Sequence, residues 1–246
     1  MRALKAIPLY QLVKESILTR IAEEEWPPGT FLPPENDLAK EYKVSHGTLR
    51  RALDELTREL RLTRYQGKGT AVSILDSDQA LFKFFKIRRE DGGRPLPTSK
   101  NISLTSGEGK QEGATAKEAK ALGIEEEAPV SRIHRIRIID SLPLFNEYIT
   151  LPLSLFPGIN KESVDSIPNT LYDYYQQKYK VTISSAKEWL SAVTATPDDV
   201  KRIVVEANSP VLRMERICYD IKGNPVEYRI THMVTEGYYY HSQLAG

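Results

Sequence analysis

With one cysteine in 246 residues, Cys218, the chain can form no internal disulfide and no thiolate zinc site. Histidine is scarce as well: His46, His134, His232 and His241 show no metal-ligand spacing, and neither a Ser-His-Asp nor a Cys-His order is present. These gaps weigh against an enzyme, a bound metal or a cofactor. No apolar run approaches the roughly 20 residues a membrane helix needs, and the opening MRALKAIPLY lacks the apolar core of a secretory signal. A reducing cytoplasm is the expected location. Net charge is nearly absent, +1 from 34 basic and 33 acidic residues, so positive charge for a polyanionic partner would have to be confined to one face. What is present, 40% hydrophobic and 27% charged residues, suits an ordinary globular protein. The length exceeds the usual single domain and predicts two.

Near the start, Leu9, Leu12, Val13, Ile17 and Ile21 recur at three- and four-residue spacings, which predicts an amphipathic helix stopped by Trp26-Pro27-Pro28-Gly29. A short second helix is expected over Glu35 to Tyr42, burying Leu38 and Ala39. In the third, Ser45 can cap the free amides while Leu49, Ala52, Leu53 and Leu56 form the buried stripe, leaving His46, Gly47, Thr48, Arg50 and Arg51 outside it. Two short strands, Leu62 to Tyr65 and Thr70 to Val72, then flank Gln66-Gly67-Lys68-Gly69, a hairpin with one lysine at its tip. Between Ser45 and Thr70 six basic residues stand against three acidic ones, an excess of three. Periodicity alone leaves open a small packing module. The alternative is a helix-turn-helix with a wing, whose third helix enters a major groove.

The order of these motifs decides between them: Pro8-Leu9-Tyr10, Pro28-Gly29, LPPENDLAKEY (32 to 42), VSHGTLRRALDEL (44 to 56) and RYQGKGT (64 to 70) resemble the GntR family of bacterial regulators. The resemblance implies a winged helix-turn-helix, a homodimer and a palindromic double-stranded DNA operator. It makes Asn36, Ser45, His46, Gly47, Thr48, Arg50, Arg51, Gln66, Gly67 and Lys68 the candidate DNA-binding residues. Asn36 and His46 stand where arginine is common in the family, Pro34 replaces a frequent capping serine, and Leu60-Arg61 replaces a glycine-containing pair.

Residues 73 to 79 read as a linker between a domain at 1 to 72 and one at 80 to 246. In the latter, PVSRIHRIRI (129 to 138) is similar to PVLRMERICY (210 to 219), 81 residues on. AKEAKALGI precedes the first copy as PDDVKRIVV precedes the second, and Pro143 with Glu147-Tyr148 matches Pro225 with Glu227-Tyr228. A helix, a strand, a turn and a second strand occur twice, so an antiparallel sheet with helices, an α+β architecture, is expected. Leu81 to Ile87 and Tyr238 to Tyr240 are candidate extra strands. Alternation puts Arg135 and Arg137 on one sheet face, within reach of Glu147 and of a helix opened by Thr170-Leu171-Tyr172, whose free amides attract anions. Either this is an anion-binding pocket, or the arginines are strand-surface residues paired with Glu147.

RIHRIRI, Glu147-Tyr148 with Leu151-Pro152, TLYDYY and Pro225 to Tyr228 resemble the UTRA effector domain of the HutC subfamily. That resemblance implies a fold like chorismate lyase and a small-molecule pocket: Arg135 and Arg137 on an anionic group, Thr170 and Tyr172 beside it, and Glu147 and Glu227 on polar parts of the effector. Met233 stands near where sugar-phosphate-responsive members tend to carry tyrosine, which points away from an amino-sugar phosphate. Phe82, Phe84 and Phe85 read as core. The expected function is a transcription repressor governed by a small anionic metabolite, with an enzyme of the chorismate lyase fold or an effector-free architectural DNA binder as alternatives.

Overall fold

The computed structural model describes residues 8–23, 25–27, 29–58, 61–73 and 84–242. Pro28, Leu60, the linker beyond Ser73, Leu81 and Phe82 lie outside them. The chain divides into two compact units, Met1–Leu75 and Asp76–Gly246.

The first unit contains α1 (Leu9–Ala22), α2 (Glu35–Glu41), α3 (His46–Arg58) and the hairpin β1 (Leu62–Tyr65) to β2 (Gly69–Val72). Leu38, Leu49, Leu53 and Leu56 are buried from α2 and α3, and Ser45 Oγ accepts the Thr48 amide at 3.2 Å, the capping expected of it. From α1 only Val13 and Ile17 are fully buried, one turn apart, while Leu9 and Leu12 are exposed. Leu12 lies about 100° round the helix from Val13, off the stripe, and Leu9 lies a turn beyond the buried cluster. Phe31 bridges Ala71, and Gly29 and Leu32 donate to Val72 and Thr70, so the hairpin is pinned to the segment before α2. Ser73 still belongs to it, through Arg61 O and the Thr63 hydroxyl.

The second unit is built on a six-stranded antiparallel sheet in the order β4-β5-β6-β9-β8-β7, where β4 is Thr98–Gly107, β5 Val130–Ile139, β6 Leu142–Pro152, β7 Ser185–Thr194, β8 Pro210–Tyr219 and β9 Pro225–Met233. A separate pair joins β3 (Ile87–Arg89) to β10 (Tyr238–Tyr240), so the expected tail strand exists. The helices are the single turn α4 (Gly109–Glu112), α5 (Ala116–Leu122), α6 (Leu171–Tyr179) and α7 (Pro197–Arg202). The repeat is real and longer than the sequence indicates, because each copy gains an edge strand before its helix, β4 or β7. Both repeat helices open with the same capping box, Thr115 with Glu118 and Thr196 with Asp199. Both hairpins carry a register shift at the same place, after Arg137 and after Cys218.

One sequence match within the repeat is corrected by the register. Arg135 faces Glu147 across the first hairpin, and its counterpart Arg216 faces Arg229 across the second, so Arg229, not Glu227, occupies the place of Glu147. The second turn is one residue longer and the second Glu-Tyr pair comes 80, not 81, residues after the first, so Glu227 stands two residues from that place along β9, on the same face.

Glu118 does more than cap α5. It accepts Arg132 through Nε at 2.8 Å and Nη2 at 2.6 Å, the Thr115 amide at 2.8 Å and the Thr150 hydroxyl at 2.7 Å. Burial alone would raise its pKa, but these donors pull it down to about 2 from an ordinary 4.5. The stabilisation is therefore present above about pH 4.5 and lost as pH falls through the folded value. Glu118→Ala is expected to lower stability by about 2 kcal/mol at pH 7. Urea unfolding should show that deficit shrinking towards pH 2.

Candidate functional site

In the first unit, α3 presents Ser45, His46, Gly47 and Arg50 to solvent beside the exposed hairpin tip of Gln66, Gly67 and Lys68, and Asn36 is exposed on α2. Gly67 has φ +74°, a backbone that favours glycine and keeps the tip free of side chain at that point. A cleft of about 840 Å³ brings Arg50, Gln66 and Gly67 together with Glu35, Arg64 and Tyr65. Glu35 holds Arg50 Nε at 3.2 Å, and Arg64 Nη2 sits 2.9 Å from Asp54 and 3.7 Å from Glu35. Arg64 was not singled out in the sequence, although its place one residue before Tyr65 on the hairpin strand would have served. Arg51 goes elsewhere: its guanidinium lies over the Tyr10 ring at 4.0 Å, against α1. Thr48 is half-buried, with its hydroxyl 2.9 Å from Ser45.

In the second unit, a small cavity opens between the sheet and the start of α6. Its lining includes Arg135 and Arg137 from β5, Arg216 from β8, Arg229 from β9, and Thr170 and Tyr172. Arg135 is fixed by Glu147 at 2.6 Å and by Asn169 O at 3.1 Å. Arg137 is not fixed: it is 3% exposed, and its Nε and Nη2 are buried without a partner. Burial, with Arg135 and Arg229 adding repulsion, pushes its pKa down to about 9, which leaves the guanidinium charged at neutral pH. A buried cation with two open donors at the amino end of a helix has the chemistry to hold an anion.

Of the other expected pocket residues, Glu227 is fully buried and does not line this cavity. It accepts Arg229 at 3.0 and 2.9 Å and the Tyr175 hydroxyl at 2.9 Å. Glu147 lies behind Arg135 and also faces Arg229 at 3.4 Å. Phe84 and Phe85, read as core, line the cavity instead, with Phe84 edge-on to Tyr172. Sequence reasoning missed Arg216 and Arg229, though the repeat offset carries Arg135 directly onto Arg216.

A model of the bacterial regulatory proteins of the gntR family matches residues 9–72, and a model of the UTRA domain matches residues 103–239, more than half the chain. The chain belongs to the GntR family, HutC subfamily. This GntR protein is 28% identical over 223 residues to the transcriptional repressor NagR of Bacillus subtilis, covering 90% of this chain and 88% of the relative. It is 29% identical to the histidine utilization repressor of Pseudomonas putida, covering 92% and 88%. Among solved structures it resembles the ligand-binding domain of a GntR-family regulator from Bordetella bronchiseptica, with a TM-score of 0.60, 25% identity and coverage of 66% of this chain and 98% of that one. YydK from Bacillus subtilis matches 97% of this chain and 100% of its own with a TM-score of 0.57 at 21% identity, a likeness of fold.

These relatives carry the names of transcription regulators, not of enzymes. Family membership makes the first unit the DNA-binding half, and the UTRA match spans every strand of the arginine cavity. Among the described residues no helix is long and apolar enough to cross a membrane.

Proposed function

We propose that this GntR protein is a cytoplasmic, homodimeric repressor that binds a palindromic operator and releases it when a small anion enters the UTRA cavity. The observation that carries the effector half is Arg137, a buried guanidinium with two open donors facing a cavity. Arg135, Thr170 and Tyr172 complete the contacts, while Glu147 and Glu227 act through the arginines they hold. On the DNA side, His46, Gly47, Thr48 and Arg50 approach base edges, Asn36 and Ser45 flank them, and Gln66, Gly67 and Lys68 reach phosphates or the minor groove. Arg51, engaged with Tyr10, acts by bracing α3 on α1.

DNA from upstream of the chain's own gene, labelled for anisotropy beside a scrambled control, tests the DNA half. Specific, salt-sensitive binding with two chains per site is expected. Arg50→Ala should weaken specific binding by about 1–3 kcal/mol, and Lys68→Ala should weaken binding to both DNAs alike. Unchanged operator binding by Arg50→Ala would show that α3 is not the reading helix. Effector and operator must oppose each other by the same factor, about 1–3 kcal/mol of coupling. Equal effector affinity with and without operator would refute the switch.

A further inference from the structure

The cavity's two walls differ in a way that bears on what it holds. Where the first hairpin sets Arg135 against Glu147, the second sets Arg216 against Arg229. Like charges opposed across a ladder repel, and with Arg229 buried and Arg216 partly so, carboxylates from elsewhere must hold them. Arg229 takes Glu147 through Nη1 at 3.4 Å and both oxygens of Glu227 through Nε and Nη2. Arg216 takes Glu188 at 2.7 Å. Arg229 thereby ties Glu227 and the second oxygen of Glu147 into an ion-pair network.

We propose that Arg229 sets the class of effector, and that the cavity takes an aryl or alkenyl carboxylate in preference to a polyhydroxylated phosphate ester. The inference rests on the reading of this cavity as the effector site. A polyol brings several O–H donors, each of which loses water on entry and needs an acceptor, and a buried donor left unpaired weakens binding. The lining offers few. Its four arginines only donate, Phe84, Phe85 and Leu171 do neither, the Tyr172 hydroxyl is already engaged by Arg216 at 3.2 Å, and the side-chain oxygens of Asn169 and Thr170 are the acceptors left. Among the described residues no carboxylate lines this cavity, and Glu147 and Glu188, which line the adjoining one, are already held by Arg135 and Arg216. Rings at Phe84, Phe85 and Tyr172 instead offer flat apolar surface to a planar body.

The head group follows from which atoms of Arg137 are open. Nε and Nη2 form the side-on edge of the guanidinium, and with that same edge Arg132 holds Glu118 and Arg229 holds Glu227. Two parallel donors in one plane match the two oxygens of a carboxylate. Arg137 repeats an arrangement the sheet fills twice with its own glutamates, and leaves the third for a ligand.

Calorimetry on the full-length protein with cinnamate, benzoate, glucose 6-phosphate and inorganic phosphate tests the proposal. Cinnamate or benzoate should bind at least tenfold more tightly than glucose 6-phosphate, and Arg229→Gln, which frees Glu227 and the Oε1 of Glu147 to accept hydroxyls while Arg135 keeps the Oε2, should narrow that ratio to about threefold or less. Glucose 6-phosphate binding as tightly as either carboxylate to the wild type overturns the proposal, and this ranking decides it even if the variant does not fold. Arg137→Met separates the two levels of inference. If anions bind the wild type, lose affinity in Arg137→Met and rank in favour of the sugar phosphate, the effector site stands and only the class falls. If none of the four binds the wild type, the anion site itself falls and the class goes with it.

Discussion

Glu227→Ala is expected to destabilise the UTRA unit by about 3–5 kcal/mol, the cost of stripping a buried cation of its partner. Glu227 has no exposed surface and holds Arg229 with both oxygens. Without it Arg229 would face Arg216 across the ladder, with Arg135 and Arg137 beside it and Glu147 shared. Four cations would then depend on two carboxylates, Glu147 and Glu188. Burial alone would raise the Glu227 pKa, but Arg229, Tyr175 and Arg216 bring it below its ordinary 4.5. Its contribution is therefore complete above about pH 4.5 and fades as pH falls through the folded value. Urea unfolding of wild type and variant at pH 7 measures the difference, and acidification should narrow it. A deficit under about 1 kcal/mol at pH 7 would mean that Arg229 finds another partner and that the network is looser than its distances imply.

The first unit was legible because its signals are local. The stripe of Leu49, Ala52, Leu53 and Leu56, the cap at Ser45 and the glycine at the hairpin tip each act within one turn of chain, and all lie where the spacing put them. Leu9 and Leu12 were misread because periodicity reports a face and not how far the neighbouring helix extends along it. In the second unit the repeat was visible in the strands Val130–Ile139 and Pro210–Tyr219, where residue types match closely. The edge strands β4 and β7 were not, since half-exposed strands such as TSKNISLTSG and SAKEWLSAVT lack the apolar alternation of the central ones. Glu147 and Glu227 invited comparison because both precede tyrosine, yet cross-strand register is set by turn length, and one extra residue there is invisible to a match of two letters. Arg216 lay in plain view as the repeat partner of Arg135. What hid its role was that a pocket is made by strands distant in sequence, and only pairing brings Arg216 opposite Arg229.

The same burial that makes Arg137 a seat for an anion makes it a burden on the empty fold, and this gives the other large expectation. Arg137→Met keeps the length and apolar stem of the side chain while removing a desolvated charge whose Nε and Nη2 have no partner. Replacing a poorly compensated buried ion by an apolar residue is commonly stabilising, by about 1–4 kcal/mol, so the ligand-free variant should unfold at higher urea than the wild type. Effector affinity should fall by about 30-fold or more, matching the 2–5 kcal/mol lost when one partner of a buried charged pair is truncated. Operator binding without effector should be unchanged, because Arg137 belongs to the second unit and not to the DNA-binding one, and effector should no longer release the DNA. A variant less stable than the wild type would show that Arg137 already contributes to the empty fold, through Phe85 at 5.5 Å or a bound anion carried through purification. Dialysis against phosphate-free, carboxylate-free buffer before melting separates those two sources. A site of this kind keeps its cation because the ligand, not the fold, supplies the countercharge, so stability and response to effector should move in opposite directions at this one position.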